Sequence, residues 1–134
     1  MKIELKKRPK NVTIIEGFPG FGLVATITTE FLIEHLNAEL IGSINIREVA
    51  PVVAVHDSKV INPIGIFYSK KAGLVILHAL TNVKGLEWEL AEKVVELSKM
   101  LNAKKIISIE GIGSTKPEAS GVYYLSNTKS KVMK

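Results

Sequence analysis

Two short glycine-rich stretches hold the residues best placed to do chemistry. GFPGFG, Gly17 to Gly22, follows the apolar run VTIIE, and EGIGS, Glu110 to Ser114, follows the run IISI. A glycine turn between a strand and a helix presents backbone N–H groups at a helix start, and such groups hold phosphates and other anions. Gly17, Gly20, Phe21 and Gly22 therefore read as an anion-binding loop or as a structural one. In the structural reading Gly20 and Gly22 supply tight backbone geometry while Phe18 and Phe21 pack locally. The spacing favours structure. GFPGFG lacks the G-x-G-x-x-G order of dinucleotide sites, and no Lys-Ser or Lys-Thr follows its last glycine as a P-loop requires. The next strand closes with Asn45–Ile46–Arg47, so no acid stands there to hold a ribose.

EGIGS falls where a central strand should end, the usual ligand edge of an open α/β sheet. Glu110 would be a general base there, with Gly111 and Gly113 admitting a ligand and Ser114 beside them. The alternative, which the residues favour, is a plain turn with a solvated Glu110. His56–Asp57 is the one adjacent His–Asp pair, and only His35 and His78 could add ligands to it. His35 lies near a helix C-terminus, where imidazole meets free carbonyls, and His78 inside an apolar strand reads as a core histidine. No metal site is expected. Cysteine and the serine-hydrolase elbow G-x-S-x-G are both absent from the chain, so it carries no complete catalytic set and implies no cofactor.

The elements that must position these loops alternate in type. After a short strand near Ile3–Leu5, Val12–Gly17 reads as a strand apolar on both faces, the pattern of a helix-covered parallel sheet. Gly22 to Leu36 reads as a helix with Leu23, Ile27 and Phe31 as its core stripe, widened by Val24, Leu32 and Leu36. Leu40–Ile46 then completes a βαβ unit. Val52–His56, Ile64–Tyr68 and Leu74–Ala79 are separated by breaks too short for helical crossovers, which predicts antiparallel pairs. Leu86–Leu101 is the clearest helix, with Leu86, Leu90, Val94, Leu97 and Leu101 on one stripe and a Glu89–Lys93 pair opposite. Lys105–Ile109 reads as a buried strand and Val122–Ser126 as a further one. The fold class is α/β, a three-layer mixed sheet with flanking helices.

With 134 residues the chain suits a single α/β domain, 1–134. Its 46% hydrophobic and 23% charged residues exclude wholesale disorder. No apolar run approaches the roughly 18 residues of a membrane span, and the basic start has no signal core, so a cytoplasmic protein is expected. Glutamine is missing, Asp57 is the only aspartate and the charges are mostly Lys and Glu, a bias that suits heat adaptation. The net charge of +5 gathers at the ends, at Lys6, Lys7, Arg8 and Lys10 and at Lys129, Lys131 and Lys134. RNA platforms interleave basic and aromatic residues on one face. Aromatics are only 6% here and form no such stripe, so solvated termini are expected rather than nucleic-acid binding.

The segment IIEGFPGFGLVATITTEFLIEHLNAELIGSI, Ile14 to Ile44, resembles the proteasome assembly chaperone family in its archaeal branch. The resemblance continues through Pro51–Val53 and LEWELAEKVVELSKMLNAKKIISIEGIG, covering nearly all of the chain. Its specific part is the G-x-P-G-x-G-L opening with the helix behind it. The resemblance implies a nucleoside-phosphorylase-like layered fold of which this chain is the N-terminal portion, incomplete toward its C-terminus. It implies a non-enzymatic assembly chaperone or adaptor that binds proteasome α subunits or a related complex. Self-association is expected, most simply as a symmetric dimer. Family members that dock by a C-terminal hydrophobic–Tyr–X tail have Tyr where this sequence has Met133, between Val132 and Lys134, which implies weak docking by this tail. The competing reading is a nucleoside phosphorylase- or hydrolase-like enzyme with GFPGFG as its anion loop.

Overall fold

The structure, a computed structural model, describes residues 1–118 and 120–128. Its elements follow in the order β1 (Lys2–Leu5), β2 (Thr13–Gly17), α1 (Val24–His35), β3 (Glu39–Asn45), β4 (Ala54–His56), β5 (Lys59–Ile61), β6 (Ile64–Ser69), β7 (Leu74–Ala79), α2 (Glu87–Met100) and β8 (Lys105–Ser108). Six strands form one sheet in the order β1-β3-β6-β7-β2-β8. The pairs β1–β3, β3–β6 and β6–β7 are antiparallel, whereas β2 runs parallel to both β7 and β8. The sheet is mixed, as expected.

The helices cover opposite faces because neighbouring residues of a strand point to opposite sides. Ile14, Val75 and Leu77 pack with Leu90, Val94, Leu97 and Leu101 of α2 in the larger core. Ile76 and Phe67 face the other way and pack with Ile33 of α1 and Ile61 of β5. The α2 stripe is the one that its periodicity predicts, and its fully buried Leu97 alone stabilises by about 2 kcal/mol. Lys93 pairs with Glu96 at 2.6 Å rather than with Glu89, which lies in the first turn, where the helix dipole already favours an acid.

Four expectations are corrected. β2 and β3 are parallel but not neighbours, since β6 and β7 lie between them and α1 crosses over both. The strand at 52–56 shortens to β4 and pairs with β5 in a separate hairpin, not with β6. Asp57 and Ser58 both have positive φ, 48° and 59°, and make the tight two-residue turn that closes this hairpin. β8 is not a buried central strand: it pairs only with β2 among the described residues, and all four of its residues are exposed. The segment 122–126 forms no strand, and Val122 and Leu125 stand in solvent.

The fifth correction concerns α1. Leu23, Ile27 and Phe31 face outward, and the buried residues are Ala25, Thr29 and Ile33. The reason is Gly17. A Cβ there would lie 2.8 Å from the Ala25 carbonyl oxygen and 2.9 Å from Thr29 Cγ2, so only a small-residue helix face can sit so low on β2. Thr29 also bonds back to the Ala25 carbonyl at 3.0 Å and meets His78 Nδ1 at 2.8 Å. The hydroxyl has one proton to give, so the tautomer of His78 decides which of the two donates across this contact. Burial, the main effect, holds His78 below the usual imidazole range, so it is the neutral core histidine that its apolar strand predicts. His35 stacks on Phe31 with ring centroids 5.3 Å apart.

Candidate functional site

β2 delivers Gly17 to the base of α1, and the chain then turns through Phe18–Gly22 into one turn of 3-10 helix, Phe21–Leu23. Gly22 has φ +66° and Leu23 φ +53°, two successive left-handed residues that swing the chain into α1. Gly22 thus uses the backbone freedom of glycine, whereas Gly20, with φ −151°, is in extended backbone that any residue adopts. Gly20 instead faces the second loop, where a Cβ would lie 3.4 Å from a Glu110 carboxylate oxygen.

The second loop leaves β8 alongside the first. The Ile109 N–H donates to the Glu16 carbonyl at 3.0 Å, extending the strand pair by one residue. Gly111 then passes so close to the Phe21 carbonyl that a Cβ would be 2.0 Å from its oxygen, and Gly113 lies under the Phe21 ring, with 3.2 Å available. Ser114 serves a local turn, accepting from the Lys116 N–H at 3.1 Å. Thus Gly20, Phe21, Glu110, Gly111 and Gly113 are brought together, while Ser114 turns the chain just beyond them.

Glu16 joins this cluster, and sequence reading did not single it out. Its signal was there, a carboxylate inside the apolar run VTIIEG. The Ser108 hydroxyl donates to Glu16 Oε1 in a short hydrogen bond. Oε2 is buried without a protein partner. Burial, above all, raises the Glu16 pKa; the Ser108 bond opposes this and the Glu110 charge adds to it. Two carboxylates at one loop repel an incoming phosphate, which argues against anion binding.

The raised pKa has a testable sign. Folded Glu16 binds its proton more tightly than the unfolded chain does, so it costs stability above the raised value and stops doing so as the pH falls toward 4.5. Glu16→Gln, which still accepts from Ser108, should raise Tm at pH 7 and give a smaller gain at pH 5. Equal gains at both pH values in thermal melts would sink this account.

A cavity of about 210 Å³ lies at the other end of α1, between Ala38, Leu40, Ile61 and Phe67, with His56, Asp57 and Lys59 also in its wall. It is smaller than the roughly 300 Å³ at which small-molecule sites begin. His56 Nε2 lies 3.5 Å from Asp57 Oδ2, and among the described residues no three His, Asp or Glu side chains converge as metal ligands do. Lys7 is paired with Glu39 at 2.8 Å. Val132–Met133–Lys134 lie outside the described residues.

Comparison with known proteins extends this geometry. PbaA of Pyrococcus furiosus, an archaeal homolog of proteasome-assembly chaperone, is 30% identical with a TM-score of 0.71, over 86% of this chain and 49% of its own. PbaB of the same organism, an archaeal proteasome activator, is 25% identical with a TM-score of 0.70, over 90% and 54%. A Thermoplasma acidophilum protein of unknown function shares the fold at 14% identity and a TM-score of 0.66, over 77% and 43%. The chain thus spans about half the length of these proteins. No curated protein matches it. The model of the PAC2 family matches residues 14–134. Because that match starts within β2 and runs through both glycine loops, it agrees with the resemblance carried by G-x-P-G-x-G-L, and the chain belongs to the PAC2 family.

Proposed function

We propose that the chain is a non-enzymatic assembly chaperone or adaptor that binds proteasome α subunits, self-associates and works in the cytoplasm. The observation that carries this is where its apolar side chains go. The glycine loops close on each other, while Leu23 just before α1, Ile27 and Phe31 of α1 and Trp88 of α2, 87% exposed, face solvent. Apolar anchors on an outer surface suit protein recognition rather than small-molecule chemistry. PbaA, a homolog of proteasome-assembly chaperone, and PbaB, a proteasome activator, point to the proteasome as the partner. In this reading the layered sheet is a nucleoside-phosphorylase-like scaffold whose ligand edge has become a packed joint. No described helix is long and apolar enough to cross a membrane.

Titration of isolated archaeal proteasome α subunits tests the proposal. Saturable binding with a Kd near 1 μM, about −8 kcal/mol, is expected, together with faster ring formation in native mass spectrometry. Failure to bind, with tight binding of phosphate or a nucleoside by calorimetry, would overturn it and favour an enzyme.

A further inference from the structure

Trp88, the only tryptophan of the chain, stands in solvent in the first turn of α2 and belongs to neither core. The fold does not need it, since Leu90, Val94, Leu97 and Leu101 supply the buried stripe of the helix. Its neighbours on the outward face, three, four and seven residues on, are Ala91, Glu92 and Val95, all exposed. α2 sets four glutamates against two lysines, a net charge of −2 on a chain whose own is +5. Glu87 accepts from the Gly85 N–H at 2.9 Å and so covers the helix start. Lys93 is held by Glu96, whereas Glu89 and Glu92 form no ion pair among the described residues. The helix dipole accounts for acids in the first turn, Glu87 and Glu89. It accounts neither for Glu92 in the second turn nor for an exposed indole beside it.

We propose that Trp88 and Glu92 together seat an arginine-bearing segment of a partner protein. An indole face attracts a cation lying on it. Arginine suits it better than lysine, because its planar, weakly hydrated guanidinium stacks on the ring and still offers N–H donors at its edge. Glu92 lies one turn beyond Trp88, within reach of those donors, and Val95 one turn further gives apolar ground for the arginine stem. Tryptophan and arginine are also the residues that anchor protein interfaces, and such anchors tend to pair across them. The basic N-terminal run of the chain is engaged elsewhere. Lys7 pairs with Glu39, and Lys10 donates to the Met100 carbonyl at the opposite end of α2. Lys84, just before the helix, acts on Glu87. The place beside Trp88 and Glu92 is thus left to a partner. The inference rests on the protein-binding reading for there being a partner, but it is tested with peptides and no proteasome, so each fails separately.

Because no other tryptophan is present, the emission of Trp88 reports this surface without a label. The probe is a short blocked peptide, Gly-Arg-Ser-Arg-Gly. Its titration at low salt should shift the emission and saturate with a Kd of about 1 mM, roughly −4 kcal/mol. The citrulline version, alike in shape but uncharged, should bind about fivefold more weakly, and the lysine version should fall between the two. Glu92→Gln, which keeps the reporter, should weaken binding about threefold and flatten its dependence on salt. Trp88→Ala, followed by amide NMR shifts, should weaken it about fivefold with Tm within about 2 °C of the parent. A larger fall in Tm would assign Trp88 to the fold and overturn the proposal. An emission unmoved by up to about 10 mM arginine peptide would also overturn it, as would unchanged affinity in Glu92→Gln at low salt. Equal binding of the citrulline peptide, or of Gly-Leu-Ser-Leu-Gly, would make Trp88 an anchor for apolar groups and remove arginine as the occupant.

Discussion

Gly17→Val should unseat α1 and lower Tm by on the order of 10 °C. The first added carbon would stand 2.8 Å from the Ala25 carbonyl oxygen and 2.9 and 3.0 Å from Thr29 Cγ2 and Ala25 Cβ. A helix carbonyl cannot rotate away as a side-chain end does, so the whole helix has to lift from β2. Overpacking of this kind costs about 1–3 kcal/mol. Lifting α1 also separates Thr29 from His78, now 2.8 Å apart and buried, which adds about 1 kcal/mol. For a domain of this size roughly 3 kcal/mol corresponds to the stated fall. Thermal unfolding followed by circular dichroism measures it. A Tm within 2–3 °C of the parent, roughly the effect of 1 kcal/mol, would mean that α1 does not rest on Gly17 as described.

The second large effect is expected at the joint between the glycine loops. Gly111→Val places a carbon 2.0 Å from the Phe21 carbonyl oxygen, so one loop has to leave the other. Gly113→Val meets the Phe21 ring first, at 3.2 Å, and that exposed ring has room to swing outward. The two variants should therefore separate. Gly111→Val should cost about 2 kcal/mol and raise hydrogen exchange in both loops, 18–23 and 109–114. Gly113→Val should cost less than half of that and be rescued by Phe21→Ala, which leaves Gly111→Val unrescued because the carbonyl remains. If Phe21→Ala rescues both, or if exchange rises only in the loop carrying the substitution, the loops are not joined through the Phe21 backbone.

Several features were legible in the sequence because they depend on neighbours along the chain. The recurrence of Leu86, Leu90, Val94, Leu97 and Leu101 at steps of three and four names both the helix and its buried face, since its other side is largely charged. Apolar runs around β2, β6 and β7 mark central strands, and short polar breaks make β6 and β7 antiparallel. The G-x-P-G-x-G-L motif pointed to the family, and glycines in both loops marked turns of the chain.

Tertiary structure alone decided three matters. Strand order was one. β2 lies between β7 and β8 because α2 carries the chain across it, and nothing local in VTIIEG names either neighbour. The meeting of the loops was another: the Ser108 hydroxyl donates to Glu16 across 92 positions of chain, and burial of Glu16 becomes visible only once β8 lies beside it. The third was the orientation of α1. That helix carries two stripes at the same period, Leu23–Ile27–Phe31 and Ala25–Thr29–Ile33, and hydrophobicity favours the first. Close approach to the sheet at Gly17 selects the second, because only small side chains fit under the helix there, and so the bulky apolar stripe is left facing outward.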